Sequence, residues 1–479
     1  MSISSSLYAG ISGLSTMGNA MSVIGDNIAN VNTVAFKSSR ATFQDVLSQQ
    51  ISTASGSAQV GRGVTLSSVS GLFTQGSFES SSQPTDLAIG GNGFFIVRAP
   101  GTENNLYYTR AGEFRFDQSG YLVNPAGYVT QGWALDQDTG EVAGTMGDIL
   151  VPKSSAPVAT DSIQIITNLD SREAPASGKD LYDVVPVDSG WDAVANDPPV
   201  GSNSYAYHSA IQVYDSLGNS HDITTYFDPT ATPNIWEYLV ACNPAEDQRS
   251  GIDPATDEWA GALLYGTIEF NTSGDITDIT ANTVEAAAGA LTPLAALTDT
   301  PNGYFQFAAN FTGATDDQTV DLKFGSTYNL ISSTWEKEAL ASSQYASAST
   351  TIFQDQNGFG AGFLQSVSVS GEGVITGHYS NGQIIPRNLI GLADFNNLIG
   401  LSKLGGNLFS ATTESGAPIT GQPGTNGLGS IAPNSLEQSN VDLGAEFVRM
   451  ITVQRGFQAN SKIITTTDEM LAELISMKR

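Results

Sequence analysis

A mainly β protein, with sandwich- or barrel-like domains in its middle and a long α-helix at each terminus, is the fold these 479 residues predict. Three observations carry that reading. The first is a spacing of sevens at both ends. Ile3, Gly10, Met17, Ile24 and Val31 follow one another at seven-residue steps, as do Leu7, Leu14, Met21 and Ile28. Far away, Leu436, Leu443, Met450, Phe457, Ile464 and Leu471 repeat the step. Apolar or small residues at that interval keep one stripe of a helix facing a neighbour. The second is a change of period to two from about residue 76, with glycine and asparagine turns between short apolar runs. The third is the placement of charge. The formal net charge is −29, yet residues 1–40 and 441–479 are close to neutral, so the acidity belongs to the middle.

The first element is a helix over 3–31. No proline interrupts it, and at about 1.5 Å per residue it spans on the order of 45 Å. Its other faces are serine, alanine, glycine and asparagine, with Asp26 the sole charge before Lys37. A helix face meant for water normally carries Lys and Glu. Small, neutral faces suit close packing on further helices. Alone, such a helix is marginal and is expected to fold on assembly. Residues 35–75, rich in Ser, Gln, Thr and Gly, read as a linker or extended arm.

Strands follow at Leu87–Ile89, Phe95–Val97, Phe114–Phe116, Ile211–Val213, Ile268–Phe270, Val320–Phe324, Val367–Val369 and Val374-Ile375. An alanine-rich stretch near 283–297 reads as a short helix or a loop. Residues 411–435 are rich in Gly, Pro, Ser and Thr and read as a second linker. The second helix covers 440–477, with Ser439 and Asp442 as an N-terminal cap pair. Phe447, Val453, Ile463, Leu474 and Ile475 widen its stripe. The expected organisation is therefore 1–34 with 440–479 as a coiled-coil-like inner domain and 35–75 as an arm. Residues 76–155 with 350–430 form a first β domain, and 156–349 one or two outer β domains. An ordinary domain core would show the same sevens; their place at both extreme ends, beside neutral outer faces, favours assembly.

The chemistry-bearing residues are few, and no catalytic, cofactor or metal site is expected. His208, His221 and His378 lack metal-ligand spacing. Asp136-Gln-Asp138-Thr-Gly140 starts like a calcium loop, but Gly147 stands where the bidentate glutamate belongs. The glycine clusters at 90–93 and 358–362 lack phosphate-loop spacing. An acidic chain is a poor partner for nucleic acid, and the acid excess reads as solubility through self-repulsion. No run of apolar residues is long enough for a membrane helix. The N-terminus lacks the basic and apolar regions of a secretory signal, so another export route is expected. The lone Cys242 rules out an intramolecular disulfide and reads as a small buried hydrophobe.

Two segments are recognisable. Asn27-Ile-Ala-Asn30-Val-Asn32-Thr-Val-Ala-Phe36-Lys37 resembles the N-terminal signature of the bacterial flagellar axial proteins, the rod and hook family. That signature has glycine where Ala35 stands. The run from Glu446 through Gln454, Arg455, Phe457, Gln458 and Asn460 to Lys462 resembles the matching C-terminal signature. Pro84-Thr-Asp-Leu-Ala-Ile89 and Tyr108-Thr-Arg110-Ala-Gly112 are similar to both hook and distal rod members. Val213-Tyr-Asp-Ser-Leu-Gly218, Tyr379-Ser-Asn-Gly382 and the long insertion between Trp133 and Gly358 are hook-like.

The resemblance implies a structural subunit that polymerises with itself into a curved, flexible tube, a universal joint passing torque from rod to filament. It implies that Ile3, Leu7, Leu14, Met17, Met21, Ile24, Ile28 and Val31 meet Leu443, Met450, Phe457, Ile464, Leu471 or neighbouring subunits in an inner wall. The implied partners are the distal rod, the hook cap, the hook–filament junction proteins and the flagellar type III export apparatus. The implied place is an extracellular appendage reached without a cleaved signal. Some hook proteins are cross-linked between subunits through a cysteine-derived dehydroalanine and a lysine, which makes Cys242 a candidate, with Lys153 and Lys179 the nearest lysines on its N-terminal side. Two alternatives stay open: a distal-rod-like axial protein with an enlarged outer domain, and a β-rich enzyme or adhesin with borrowed axial ends.

Overall fold

The computed structural model describes residues 3–53, 56–101, 105–136, 139–176, 180–182, 190–284, 291–293, 302–313 and 317–477. The chain divides into two compact units, Met1–Lys153 with Leu364–Arg479, and Ser154–Phe363.

The first unit holds both helices, α1 (Ile3–Ala29) and α2 (Leu443–Met477). Its sheet runs antiparallel from Val374–Tyr379 through Ile384–Ile390, Val129–Leu135, Phe94–Arg98, Leu106–Thr109 and Leu408–Ser410 to Ser402–Gly405. The run Phe94-Phe-Ile-Val97 shows why the sheet sits centrally. Alternate side chains of a strand point to opposite faces. Phe95 and Val97 enter a core with Leu87, Ile89, Phe114 and Ile390, whereas Phe94 and Ile96 enter another with Tyr108, Phe395 and Phe409. A strand buried on both faces reads as a continuous apolar run.

Three expectations need correction. The arm is not a plain linker: Ser39–Asp45 pairs antiparallel with Val64–Gly71, and Gln49–Thr53 with Gly56–Val60. Its β-branched residues lie among serines, so composition hid the ribbons. The second linker carries strands Ile419–Gly421 and Ser430–Pro433, with Leu428 and Ile431 in the core. Its glycines and prolines mark turns between very short strands. The alanine-rich stretch is no helix where it is described: Asn282–Val284 pairs antiparallel with Leu291–Pro293.

The second unit faces one sheet against another. One runs Tyr207–Tyr214, Ser220–Pro229, Ile235–Cys242 and Ala262–Phe270, all antiparallel. The other centres on Ser162–Asp170, which runs parallel to Gln318–Lys323 and Ser343–Tyr345 and antiparallel to Thr350–Gln356. Ile163, Ile165, Phe227, Trp236, Val240, Phe307 and Leu322 fill the space between them. Ile235–Cys242 is buried on both faces: Trp236, Tyr238, Val240 and Cys242 point into that core, while Leu239 and Ala241 meet Leu181, Tyr182, Trp191 and Trp259 in a third cluster.

Candidate functional site

The two helices pack antiparallel within the first unit. A Cβ placed on Gly10 would lie 3.1 Å from Ile464 Cγ1, one on Gly13 would lie 2.7 Å from Asn460 Oδ1, and one on Gly456 would lie 3.3 Å from Met17 Sδ. Rising numbers on α1 meet falling numbers on α2. Contacts this short hold only because glycine lets the backbones approach.

The buried line of α1 is Gly10, Gly13, Thr16, Ala20, Ile24 and Asn27. Gly10 and Ile24 belong to the expected columns. Leu7, Leu14, Met17, Met21, Ile28 and Val31 are only half-buried, at the flanks of the seam, and Ile3's side chain lies outside the described residues. Counting apolar residues thus finds the right helix face and places its axis one residue too far along. The packed column is Gly13, Ala20 and Asn27, whose small or polar side chains carry no hydrophobic signal. On α2 the seam is Glu446, Met450, Val453, Gly456, Asn460, Ile464, Thr467 and Leu471. Leu443 and Phe457 stand about two-fifths exposed (40% and 41%), and Phe447, Val448, Ile451, Met470 and Ile475 also face outward. The cap is Asp442 alone, whose Oδ1 accepts from Gly444 N (2.8 Å) and Ala445 N (3.2 Å). Ser439 Oγ serves Val441 N instead. Between α1, α2 and the arm lies a groove of about 330 Å³, lined by Ala20, Val23, Ile24, Ala41, Phe43 and Val448 among others.

The signature residues fall into two groups. Those near the end of α1 are used within the chain. Asn27 is buried and exchanges two hydrogen bonds with the Ser39 backbone, donating from Nδ2 to Ser39 O (2.8 Å) and accepting Ser39 N at Oδ1 (2.8 Å). It binds the arm as a neighbouring strand would. Asn30 Nδ2 donates to Asp26 O (2.9 Å) and closes the helix. Phe36 lies under the Lys403 ammonium, 5.3 Å from its ring centre, and Lys403 Nζ donates to Lys37 O (2.9 Å). Asn32, by contrast, is exposed, as are Gln454, Arg455 and Gln458 on α2.

Lys37 leads to the centre of the site. Its Nζ donates to Glu437 Oε1 (2.6 Å) and to Thr74 O (2.9 Å). Glu437 is 0% exposed and also accepts Gly76 N (2.8 Å), while Arg110 Nη1 reaches Oε2 at 3.4 Å. Burial drives both the Lys37 and the Arg110 pKa below their ordinary values, against the pull of Glu437. One carboxylate therefore faces two buried cations from distant parts of the chain, and Asp394 adds its own pull on Arg110. Around it, Ala35 N donates to Glu437 O (2.7 Å), Ser38 N to Asn440 Oδ1 (2.8 Å), and Asn440 Nδ2 to Leu72 O (2.7 Å). Ala35 itself is buried at φ +55°. A left-handed L-residue costs about 1–2 kcal/mol, which offers the reason glycine stands there in the signature. Neither Glu437 nor Asn440 was among the expected site residues, and Arg110 was noticed only as part of a motif. Charges hundreds of residues apart leave no periodic trace.

In the second unit Cys242 is buried, and desolvation pushes its thiol up to about 12. A protonated, enclosed thiol is a poor nucleophile and is not presented to reagents at the surface of the single chain. Lys179 lies outside the described residues. Asp136 Oδ1 accepts Thr139 N (2.9 Å) in a turn, and Asp138 is outside the described residues. His221 Nδ1 lies 2.7 Å from Glu246 Oε2, and Nε2 lies 3.2 Å from Asp215 Oδ2, with the ring stacked on Phe311.

Four family models match successive parts of the chain: Flagella basal body rod protein over 7–37, Flagellar hook protein FlgE/F/G D1 domain over 88–168, Flagellar basal body protein FlaE D2 domain over 186–359, and Flagellar basal body rod FlgEFG protein C-terminal over 432–477. The chain is 35% identical to the flagellar hook protein FlgE of Borreliella burgdorferi, over 99% of both chains. It is 33% identical to that of Treponema pallidum, over 99% of both, and 30% identical to that of Escherichia coli K12, over 98% of both. Among solved structures it is similar to the Helicobacter pylori hook protein FlgE2, with a TM-score of 0.45 and 17% identity over 75% of this chain and 100% of that one. Similarity along the full length, including the long middle insertion, sets the distal-rod alternative aside, and the chain belongs to the flagellar hook protein family, as a structural subunit of the hook rather than an enzyme.

Proposed function

We propose that the terminal helices form a coiled-coil-like inner wall of the hook tube, with residues 1–34 and 440–479 as one domain and the β regions 76–155 with 350–430, and 156–349, outside it. The observation that carries this is the division of labour on the helices. Glycines and other small residues fill the α1–α2 seam, so the larger apolar groups are left at its edges and on the outer face of α2. Exposed apolar side chains along one long helix mark a surface meant for other chains. Association that repeats without closing gives a helical tube. In this reading Leu7, Leu14, Met21 and Ile28, with Phe457 and Leu443, meet helices of adjacent subunits. The outer units make small polar contacts that part and re-form as the tube turns while bent, so torque passes from rod to filament. The distal rod, hook cap, junction proteins and type III export apparatus are the partners this role needs, and the appendage outside the cell is its place. Deleting residues 1–31 tests the reading. The truncated protein should stay soluble, keep its β signal in circular dichroism, and form no tubes by electron microscopy. Tubes of normal diameter from that truncation would refute it.

A further inference from the structure

The groove between α1, α2 and the arm stays open in the single chain. Val23 and Ile24 line it from α1, Phe43 from the arm and Val448 from α2. Val448 is 65% exposed. A volume of about 330 Å³ is in the range of pockets that take whole ligands, so one side chain does not fill it. Two guanidinium groups share the lining, those of Arg40 and Arg449. Arg40 is exposed and makes no ion pair among the described residues. Arg449 Nη1 donates to Glu446 Oε1 (2.7 Å), but the Arg449 side chain stays half-exposed while the Glu446 carboxylate is buried. The charge that the groove shows outward is therefore positive.

An apolar ridge edged by acids fits such a groove, and the far end of α2 is one. Met470, Leu474 and Met477 stand at i, i+4 and i+7, one column on the helix, and are 53%, 48% and 76% exposed. Glu469 and Glu473 form the column beside them, both exposed and without an ion pair among the described residues. The other acids on or beside the terminal helices are already engaged, apart from the neighbouring Asp468. Asp26 Oδ1 accepts Asn30 Nδ2 (3.1 Å), Asp442 caps α2, and Glu446 is held by Arg449. No other stretch of the two helices pairs apolar side chains with free carboxylates. The ridge cannot reach its own groove, because Val448 and Leu474 lie on one continuous helix, about 39 Å apart at 1.5 Å per residue. The occupant has to come from a second copy, in a family whose members polymerise with themselves.

We propose that the groove of one subunit seats the last turns of α2 from the next, with Met470 and Leu474 entering beside Val448 and Phe43 while Glu469 and Glu473 meet Arg40 and Arg449. Arg449 has donors to spare beyond the one it gives to Glu446. The inference rests on the wall reading above and assigns a contact within it. Groove and ridge are different surfaces at opposite ends of one helix. Each subunit therefore offers its groove to one neighbour and its ridge to another, and a contact of that kind propagates instead of closing. The apolar column supplies buried area, and the acids fix which end of which helix is accepted.

Val448→Cys combined with Leu474→Cys in the full-length chain tests this. The two thiols are too far apart to bond within one chain. Polymer grown from this variant, oxidised and run on a denaturing gel without reductant, should give a ladder of dimers, trimers and longer chains, and each single variant should give none. Polymer without a ladder overturns the seat. A ladder that appears only when the second cysteine is moved to Leu14 also overturns it, since another helix then fills the groove. A band that stops at the dimer does so too, since two copies then exchange ends and close. Charge reversal gives an independent reading. Arg40→Glu and Glu473→Arg should each raise the protein concentration needed for polymer about tenfold or more, as an attraction turned into a repulsion does. Both together in one chain should recover most of that loss. Each residue is exposed in the single chain, so the circular dichroism and Tm of the monomer should hold. No effect of either reversal, or no recovery in the double variant, overturns the pairing even where the cysteine variant assembles poorly. Tubes that form without the ladder remove this seat and leave the wall of terminal helices standing, whereas tubes from the protein lacking residues 1–31 remove the wall.

Discussion

Replacing Glu437 with glutamine keeps the side chain's volume and removes its charge. Lys37 retains Thr74 O and Arg110 retains Gly91 O, so most hydrogen bonds survive and what is lost is the anion. Removing one partner of a buried ion pair costs about 3–5 kcal/mol, because the other charge stays buried and unpaired. Lys37 has one escape, to fold uncharged. At about 1.4 kcal/mol per pH unit below an ordinary pKa near 10.4, that costs about 5 kcal/mol at pH 7, and is no cheaper. In a unit of this size each kcal/mol moves Tm by about 2–4 °C, so the transition of the helix-bearing unit should fall by roughly 6–20 °C. Scanning calorimetry of the monomer reads this, with the other unit's transition as an internal control, since it contains none of these residues. The pH dependence has a definite sign. Burial lowers the Lys37 pKa, so between that value and about 10.4 the unfolded chain binds the extra proton, and stability rises with pH. Glu437→Gln removes the group that opposes this lowering and should steepen the rise. Adding Lys37→Met to Glu437→Gln should restore part of the loss. A shift under about 2 °C, or no recovery in the double variant, refutes one carboxylate serving two buried cations.

Three further outcomes follow from the geometry. Gly13→Leu puts a branched side chain where even a Cβ lies 2.7 Å from the Asn460 carboxamide; overpacking of about 1–3 kcal/mol exceeds the roughly 1 kcal/mol gained in helix propensity, so α2 should lose hydrogen-exchange protection and polymer yield should drop. Ile451→Asp, at a position half-exposed in the single chain, should change monomer stability by less than about 1 kcal/mol yet stop tube formation, as read by sedimentation; normal polymer would exclude this face from the wall. Ellman's reagent at pH 8 should leave Cys242 unmodified in the folded protein and label it in urea. Fast labelling without urea would refute the enclosed thiol and return Cys242 to the candidates for cross-linking.

Much of the fold was legible because period survives in a linear sequence. The sevens marked α1 and α2, and the apolar residues of Phe95–Val97 marked a strand, whose burial on both faces only the structure revealed. The seam's true axis was not legible. Hydrophobic counting favours Leu14 and Met21, whereas close helices choose Gly13 and Ala20, and nothing in the chain says beforehand how near two backbones will come. The ribbons at 39–71 hid for a related reason: Thr42 pairs with Ser68 in an arm whose composition is that of a loop. Resemblance singled out Asn27 and Lys37 without giving their tasks. Those tasks depend on Ser39 and Glu437, and only the folded chain brings Glu437 to Lys37.

That last contact has a consequence in time. A ribosome, or any pore that threads a chain from its N-terminus, delivers Lys37 and Arg110 hundreds of residues ahead of the carboxylate they need. Until residue 437 emerges, Lys37 lacks the carboxylate it is buried against, so the helix-bearing unit cannot finish closing. The unit at 154–363 is continuous in sequence and waits for nothing beyond its own end. Loop closure over such a distance is slow as well as late. The subunit thus completes its helix-bearing part last, because Glu437 and the whole of α2 (Leu443–Met477) leave such a pore after nearly all of the chain.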